Sequence, residues 1–276
     1  MEQVLKTMLE NVRAKSPLVH NITNYVTVND VANVLLAAGG SPIMSDDADD
    51  VEDITSICGG LNINIGTLNK NTIPSMFLAG KKANALGHIV LLDPVGAGAS
   101  RLRTDTANRL MHEVRFDAVR GNISEIKTLC TGSGTTKGVD ADAVDAVTEA
   151  NLDDGVALVK AFARQAGCII AVTGAIDLVS DGERCWCIRN GRAEMSRITG
   201  TGCQLSALMT AFLVANPDRK LDAAAAAVCM MGLAGEIGWA NMQPGDGNST
   251  YRNRIIDAIF NMTGDALEEG AKYELR

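Results

Sequence analysis

The run Thr199-Gly200-Thr201-Gly202-Cys203 sets two glycines and a thiol immediately before an apolar stretch. Leu205, Leu208, Met209, Phe212 and Leu213 then recur at helical spacing, and Pro217 follows Asn216 where such a helix has to stop. The turn therefore leads into a helix N-terminus. Unpaired backbone N–H groups and roughly half a positive charge gather there, and glycines let an anion approach the backbone closely. Gly200, Thr201 and Gly202 read as an anion cradle. The same field lowers the pKa of a thiol in the first turn, so Cys203 is expected to hold more thiolate near neutral pH than a free cysteine. The alternative is that the glycines serve close helix packing and Cys203 is a small buried hydrophobe. The turn alone leaves both readings open.

Other groups follow predicted strands: Asp93, Arg120, Glu125 at the start of a helix, and Thr173. With an anion cradle and a base they suit phosphoryl transfer. Carboxylates hold Mg²⁺ through water, cationic groups take the charge spread over the phosphoryl oxygens, and the base accepts the proton of an attacking hydroxyl. Each has a structural reading when taken singly. Asp93 precedes Pro94 as a turn-former, and Glu125 complements a helix dipole. Their joint position after strands favours the chemical reading. Two glycine motifs fall short of named patterns. Gly96-x-Gly98 has Arg101 where a dinucleotide fingerprint needs its third glycine, and the loop Gly132 to Gly138 has Lys137 before Gly138, the reverse of a Walker A, so it reads as a surface loop or lid.

The elements that must position these residues alternate. Leu61 to Ile65 reads as strand, Ile73 to Leu86 as helix, His88 to Leu92 as strand, Arg101 to Val114 as helix, Asp117 to Arg120 as strand and Ser124 to Cys130 as helix. Such alternation means a mostly parallel sheet with helices on both faces, and ligands bind beyond the carboxyl ends of its strands. Upstream, Met1 to Lys15 forms an amphipathic helix without the features of a signal peptide, and Pro17 to Thr27 reads as a strand running into a functional loop. Asn29-Asp30 is expected to cap a helix Val31 to Ala38, followed by an extended Ser41 to Met44 and the acidic Asp46 to Asp53. Downstream, Asp140 to Ala166 reads as helix and Cys168 to Val172 as strand. Asp177 to Arg192 reads as an antiparallel edge with hairpin-type turns at Asp181-Gly182 and Asn190-Gly191. Then come the helix after Cys203, an alanine-rich helix Leu221 to Trp239, the turn Gln243 to Gly247 and a last helix through Leu267. The expectation is one domain over 1–276, an α/β three-layer sandwich.

Composition narrows the partners. The 276 residues are 46% hydrophobic with net charge −8 and no block of Lys or Arg, which argues against nucleic acid or an acidic membrane and for a small-molecule substrate. Seven cysteines without a C-x-x-C pair suit a reducing cytoplasm, and Cys185-Trp-Cys187 reads as strand packing. None of His20, His88 and His112 has an i, i+4 partner, which disfavours a zinc site.

A resemblance then enters through Asn122-x-x-Glu125 and the glycine turn before a helix, which are similar to those of the ribokinase-like kinases. A cysteine stands where their turn usually carries an aspartate base. Thiol in place of carboxylate resembles the hydroxyethylthiazole kinase family, as do Pro17 to Val26, Ala38 to Met44, Asn64 to Thr67, Leu92 to Gly98, Arg120 to Glu125, Ala171 to Gly174 and Thr199 to Cys203. The resemblance implies ATP-dependent phosphorylation of 4-methyl-5-(2-hydroxyethyl)thiazole in thiamine biosynthesis or salvage, with Mg²⁺. It implies Cys203 as general base, Asn24 and Met44 in the thiazole pocket, and Gly66 and Gly200 as further substrate contacts. Arg120 and Thr173 would touch ATP, and Asp93 and Glu125 would organise Mg²⁺ and phosphate. It also implies a homotrimer with active sites between subunits. Asn21, Ile123 and Gln204 depart from the family pattern, where cysteine, alanine and an apolar residue are usual. Two other classes remain: an acyl transferase using Cys203 as nucleophile, which needs a histidine base, and a nucleotide-binding regulator without catalysis.

Overall fold

A computed structural model describes residues 3–131 and 146–276. Among them nine strands form one sheet in the order β2-β1-β3-β4-β5-β6-β7-β8-β9. The first six are β1 (Leu18–Ile22), β2 (Ser41–Met44), β3 (Gly60–Asn64), β4 (Ile89–Asp93), β5 (Ala118–Asn122) and β6 (Ile169–Thr173), all parallel. The last three, β7 (Asp177–Ser180), β8 (Cys185–Ile188) and β9 (Tyr273–Leu275), are antiparallel additions. The expected mostly parallel sheet with an antiparallel edge is the one observed.

Strand side chains alternate between two cores, as the period of two requires. On one face Leu91, Ala118, Ile169, Ala171, Val179 and Trp186 meet α1 (Val4–Lys15), α8 (Thr201–Ala215), α9 (Lys220–Ala240) and α10 (Asn248–Asn261). On the other, Leu61, Ile63, Val90, Leu92, Val119 and Ile170 meet α4 (Thr72–Leu86), α5 (Arg101–Glu113), α6 (Ile123–Thr131) and α7 (Leu152–Ala166). Helices on both sides make three layers. Cys185 and Cys187 point into the second core and Trp186 into the first, so this triplet is packing, as read from its alternation.

α8 has almost no polar face. Leu208, Met209, Phe212 and Leu213 are fully buried, each worth roughly 1.5–3 kcal/mol of transfer free energy, and this burial fixes the helix against the sheet. Ala223 to Ala227 of α9 are likewise buried within the chain, so the small-residue run serves close packing in the core. By length and composition 217–240 could cross a membrane, but 78% of its apolar window is buried in this fold, as in a core helix.

Several boundaries differ from the sequence expectation. α2 (Val28–Ala38) starts three residues early, because the Thr27 carbonyl already accepts the Val31 amide and Asn29-Asp30 lie inside the first turn. The acidic segment runs into a helix, α3 (Val51–Ile57), whose first turn holds Glu52 and Asp53 where the dipole favours them. Asp140 to Ala166 is not all helix: Thr148 and Asn151 form a capping box around a 3₁₀ turn, and α7 begins only at Leu152. The Gly132 to Gly138 loop lies outside the described residues. Asn190-Gly191 is no hairpin turn, since the strand beside β8 comes from Tyr273–Leu275. The last helix is two, α10 and α11 (Gly264–Gly270), divided where the Thr263 hydroxyl caps the Ala266 amide.

Candidate active site

The carboxyl ends of β3, β4 and β5 place Asn64, Asp93 and Arg120 in one row beneath the start of α8. Asn64 and Asp93 are register partners on neighbouring strands. The Asn64 amide donates to Asp93 Oδ2 at 2.9 Å, the Ser206 hydroxyl donates to the same oxygen at 2.7 Å, and Arg120 Nη1 lies 3.3 Å from it. Arg120 Nη2 donates to the Thr173 hydroxyl at 2.7 Å. On the other side Asn24 Nδ2 donates to Asn64 Oδ1 at 3.0 Å and to Cys203 Sγ at 3.2 Å. One continuous network thus runs from the thiol through Asn24, Asn64 and Asp93 to Arg120 and Thr173.

Local geometry explains why these residues meet. Gly200 sits at φ 87°, the left-handed region that favours glycine, and caps α8. A Cβ there would drive into Thr27, whose own amide and hydroxyl are held by Asn24 Oδ1 at 3.1 Å. Thr201 and Gly202 follow as the first helical residues, and a Cβ on Gly202 would stand 2.5 Å from Arg120 Nη2. The absence of side chains lets the guanidinium lie against the turn. Gly66 donates its amide to Asn64 Oδ1 at 2.9 Å, and its bare Cα lets Asn24 and Asn64 close over it. We expect Gly200→Ala to lower stability by about 1–3 kcal/mol, the cost of a left-handed non-glycine residue plus the clash, measured by denaturant unfolding; an unchanged midpoint would contradict this account.

Glu125 closes the site from below. Its Oε1 accepts the Gly96 amide and its Oε2 the Asn122 amide, each at 2.8 Å, while Asn122 Oδ1 accepts the Glu125 amide at 2.9 Å. The last two bonds form a reciprocal cap on α6. Burial, with Asp93 nearby, pushes the Glu125 carboxyl up to about 7 against the pull of Gly96, Asn122 and Arg120. Burial also raises Asp93, opposed by Arg120, Ser206 and Asn64.

The thiol runs against the sequence expectation. Cys203 is the third residue of α8, buried, and burial together with the Asp93 charge pushes its pKa above the ordinary value. Arg120 and the amides of Asn64 and Asn24 pull it down by less. At neutral pH the ligand-free site therefore holds a thiol, because desolvation outweighs the helix start.

Of the remaining predicted residues, Met44 packs against the cluster of Val19, Val31, Leu35 and Cys203. Of the predicted site residues, Asn24, Asp93, Arg120, Thr173 and Cys203 form the network, and Gly66, Gly200 and Gly202 lie against its members or against Thr27. Asn64 and Ser206 carried no predicted role. Ser206 lies one turn beyond Cys203, a spacing that would have placed it on the same helical face. No histidine accompanies the thiol: His20 is bonded to Thr55 and Ser45, and His88 and His112 line clefts at the amino ends of the strands. One of these clefts, about 960 Å³, carries ion pairs of its own, such as Lys220–Asp117 at 2.7 Å, and lies at the pole opposite the network.

For Mg²⁺ the donor set is a pair of carboxylates. Asp93 Oδ1 is buried without a partner, an open acceptor, and each Glu125 oxygen takes only one amide. No cluster of three or more His, Cys, Asp or Glu side chains suited to a metal occurs among the described residues. The site fits an ion that keeps most of its waters and fits no all-protein cage.

Comparison with known proteins identifies the family and the fold. The model of the "Hydroxyethylthiazole kinase family" matches residues 9–265. A hydroxyethylthiazole kinase of Clostridium acetobutylicum is 57% identical over 271 residues, 98% of this chain and 99% of the relative. The structure of a hydroxyethylthiazole kinase from Pyrococcus horikoshii superposes with a TM-score of 0.88 at 32% identity over 100% of both chains. A ribokinase-like superfamily protein from Enterococcus faecalis, 11% identical over 94% of each chain, shares the fold with a TM-score of 0.61.

Proposed function

The chain belongs to the hydroxyethylthiazole kinase family, and from that premise we propose that it transfers the γ-phosphoryl group of ATP to the primary hydroxyl of 4-methyl-5-(2-hydroxyethyl)thiazole, in thiamine biosynthesis or salvage. The observation that carries this reading is the continuous network joining Cys203 to Asp93, Arg120 and Thr173 beneath the start of α8. It sets a sulfur, a cation and a carboxylate beside one anion cradle, with the Glu125 carboxyl close enough to feel Asp93 and Arg120, a set suited to moving a phosphoryl group.

In this reading the residues 1–276 act as one kinase domain. Asn24 and Met44 bound the thiazole, with Gly66 and Gly200 allowing close approach. Cys203, in its thiolate form, accepts the hydroxyl proton, and the amides at Gly200, Thr201 and Gly202 face the transferring oxygens. Arg120, oriented by Asp93 and Thr173, neutralises phosphate charge. Asp93 and Glu125 would hold the hydrated Mg²⁺ of the nucleotide, which when bound supplies further neutralisation of that charge.

The protein is read as a cytoplasmic homotrimer with sites between subunits. All seven cysteines are free, in keeping with a reducing compartment. Tyr25 and Val26, in the loop that follows Asn24, are 78% and 56% exposed, an apolar surface suited to a second copy.

ATP consumption measured with and without the thiazole alcohol tests the reaction, and consumption independent of the alcohol would reject it. Met44→Glu is expected to raise the acceptor KM by at least about tenfold by placing a charge in an apolar pocket, and to disturb association. A monomer by light scattering that keeps wild-type turnover would contradict the shared pocket.

A further inference from the structure

His20 lies outside the network yet is completely buried on the opposite face of the sheet from Met44. Its Nε2 is 2.8 Å from the Ser45 carbonyl oxygen and its Nδ1 is 3.0 Å from Thr55 Oγ1. A carbonyl only accepts, so Nε2 carries the proton and Nδ1 accepts from the Thr55 hydroxyl. Burial holds the imidazole pKa below its ordinary value, with the Ser45 carbonyl and Asp50 acting the other way, so the neutral ring fits both bonds. One ring thereby ties β1 to the exit of β2 and to α3.

The tie matters because β2 is poorly held. It is an edge strand of four residues with β1 as its one neighbour, and its last register pair is Asn21 with Met44. Ser45 is the first residue beyond that ladder. Its carbonyl is fixed by His20, and its hydroxyl donates to Asp50 Oδ2 at 2.5 Å in the loop leading to α3. On the other face, Met44 reaches the cluster that contains Cys203. The position of Met44 against that cluster is thus set on one side by packing and on the other by the clamp on the next residue.

We propose that His20 is a positioning residue of the acceptor pocket, acting through the Ser45 carbonyl to fix Met44 against the Cys203 cluster. This rests on the reading that Met44 bounds the acceptor alcohol. His20 bonds to none of Cys203, Asp93, Arg120 or Thr173, so the effect is expected mainly on acceptor binding.

The test is steady-state kinetics of His20→Ala, His20→Gln, Thr55→Val and Met44→Ala with ATP and the thiazole alcohol. His20→Ala is expected to raise the acceptor KM about tenfold, the equilibrium worth of one buried hydrogen bond, with kcat and the ATP KM within about twofold of wild type. His20→Gln, whose amide can donate to the same carbonyl, is expected to recover most of that loss. Thr55→Val removes the bond that orients the ring and should raise the acceptor KM about threefold, and it decides the matter if the alanine variant does not fold. An acceptor KM that stays at the wild-type value in the folded His20 and Thr55 variants, or a loss seen only as fewer active molecules, overturns the proposal. If Met44→Ala leaves the acceptor KM unchanged, it is the pocket reading that fails. If Met44→Ala raises it while the His20 and Thr55 variants do not, the positioning role alone fails.

Discussion

Replacing Cys203 by alanine is expected to lower turnover by about 10² to 10⁴, the usual worth of a positioned base, while Cys203→Asp keeps substantial activity. The structure adds a reason for the second half. Burial and Asp93 hold the thiol above its ordinary pKa, so at neutral pH few molecules carry the thiolate. An aspartate starts some four to five units lower, and even a buried one is ionised over more of the neutral range. The wild-type rate should therefore still rise on the alkaline side, and the aspartate variant should move that rise to lower pH. Alanine should retain a remnant, because the α8 amides and Arg120 still meet the phosphoryl charge. A dead aspartate variant, or a phosphate or acyl adduct on Cys203 in an intact-mass measurement during turnover, would remove the base and favour a nucleophile.

Glu125→Gln is expected to cut turnover by about 10² to 10³ with the acceptor KM unchanged, as for the loss of a group that meets developing charge. A glutamine cannot accept at both positions, so one of the Gly96 and Asn122 amides loses its partner and stability falls by about 1–3 kcal/mol as well. The pH dependence separates the two effects. In the metal-free protein the carboxyl sits at about 7 and bound Mg²⁺ would pull it lower, so activity that needs its ionised form should fall as pH drops at or below that value, and the glutamine variant should lack this limb. Stability moves the other way. The folded state holds the proton up to about 7 against an ordinary 4.5, so it binds more protons than the unfolded state in that window and loses stability as pH rises through it. A variant that keeps the acid limb, or keeps full turnover at saturating Mg²⁺, would take Glu125 out of the mechanism.

Much of the site is legible in the sequence because it depends on short-range pattern. The short stretches Leu61 to Ile65, His88 to Leu92 and Asp117 to Arg120 mark parallel strands, and the residues at and just past the carboxyl ends of such strands are where ligands bind. The glycine turn before α8 carries its own geometry. Quantities set by burial are not legible in the same way. The helix start at Cys203 predicts a lowered thiol, but the size of the opposing desolvation depends on how tightly α8 seats on β3 and β4, which no local window contains. Asn64 is likewise silent, since an asparagine at a strand end is ordinary until Asp93 arrives beside it. The start of α2 is likewise set by a backbone bond from the Val31 amide to the Thr27 carbonyl, and that of α7 by the preceding 3₁₀ turn; neither helix has a side-chain cap of its own for the sequence to announce.

The bonds of the network also bear on the order of assembly. They join Asn24 to Cys203 across 179 positions and Asp93 to Ser206 across 113, whereas strands β3 to β8 pair with neighbours in sequence. Strand pairing can therefore run ahead while one apolar face waits for α8 and α9. During that interval Leu91, Ala118 and Ile169 face water, and an intermediate of this kind is prone to self-association. In refolding, the recovery of phosphoryl transfer would lag behind the recovery of strand signal, because the site comes into being only when the late helices dock.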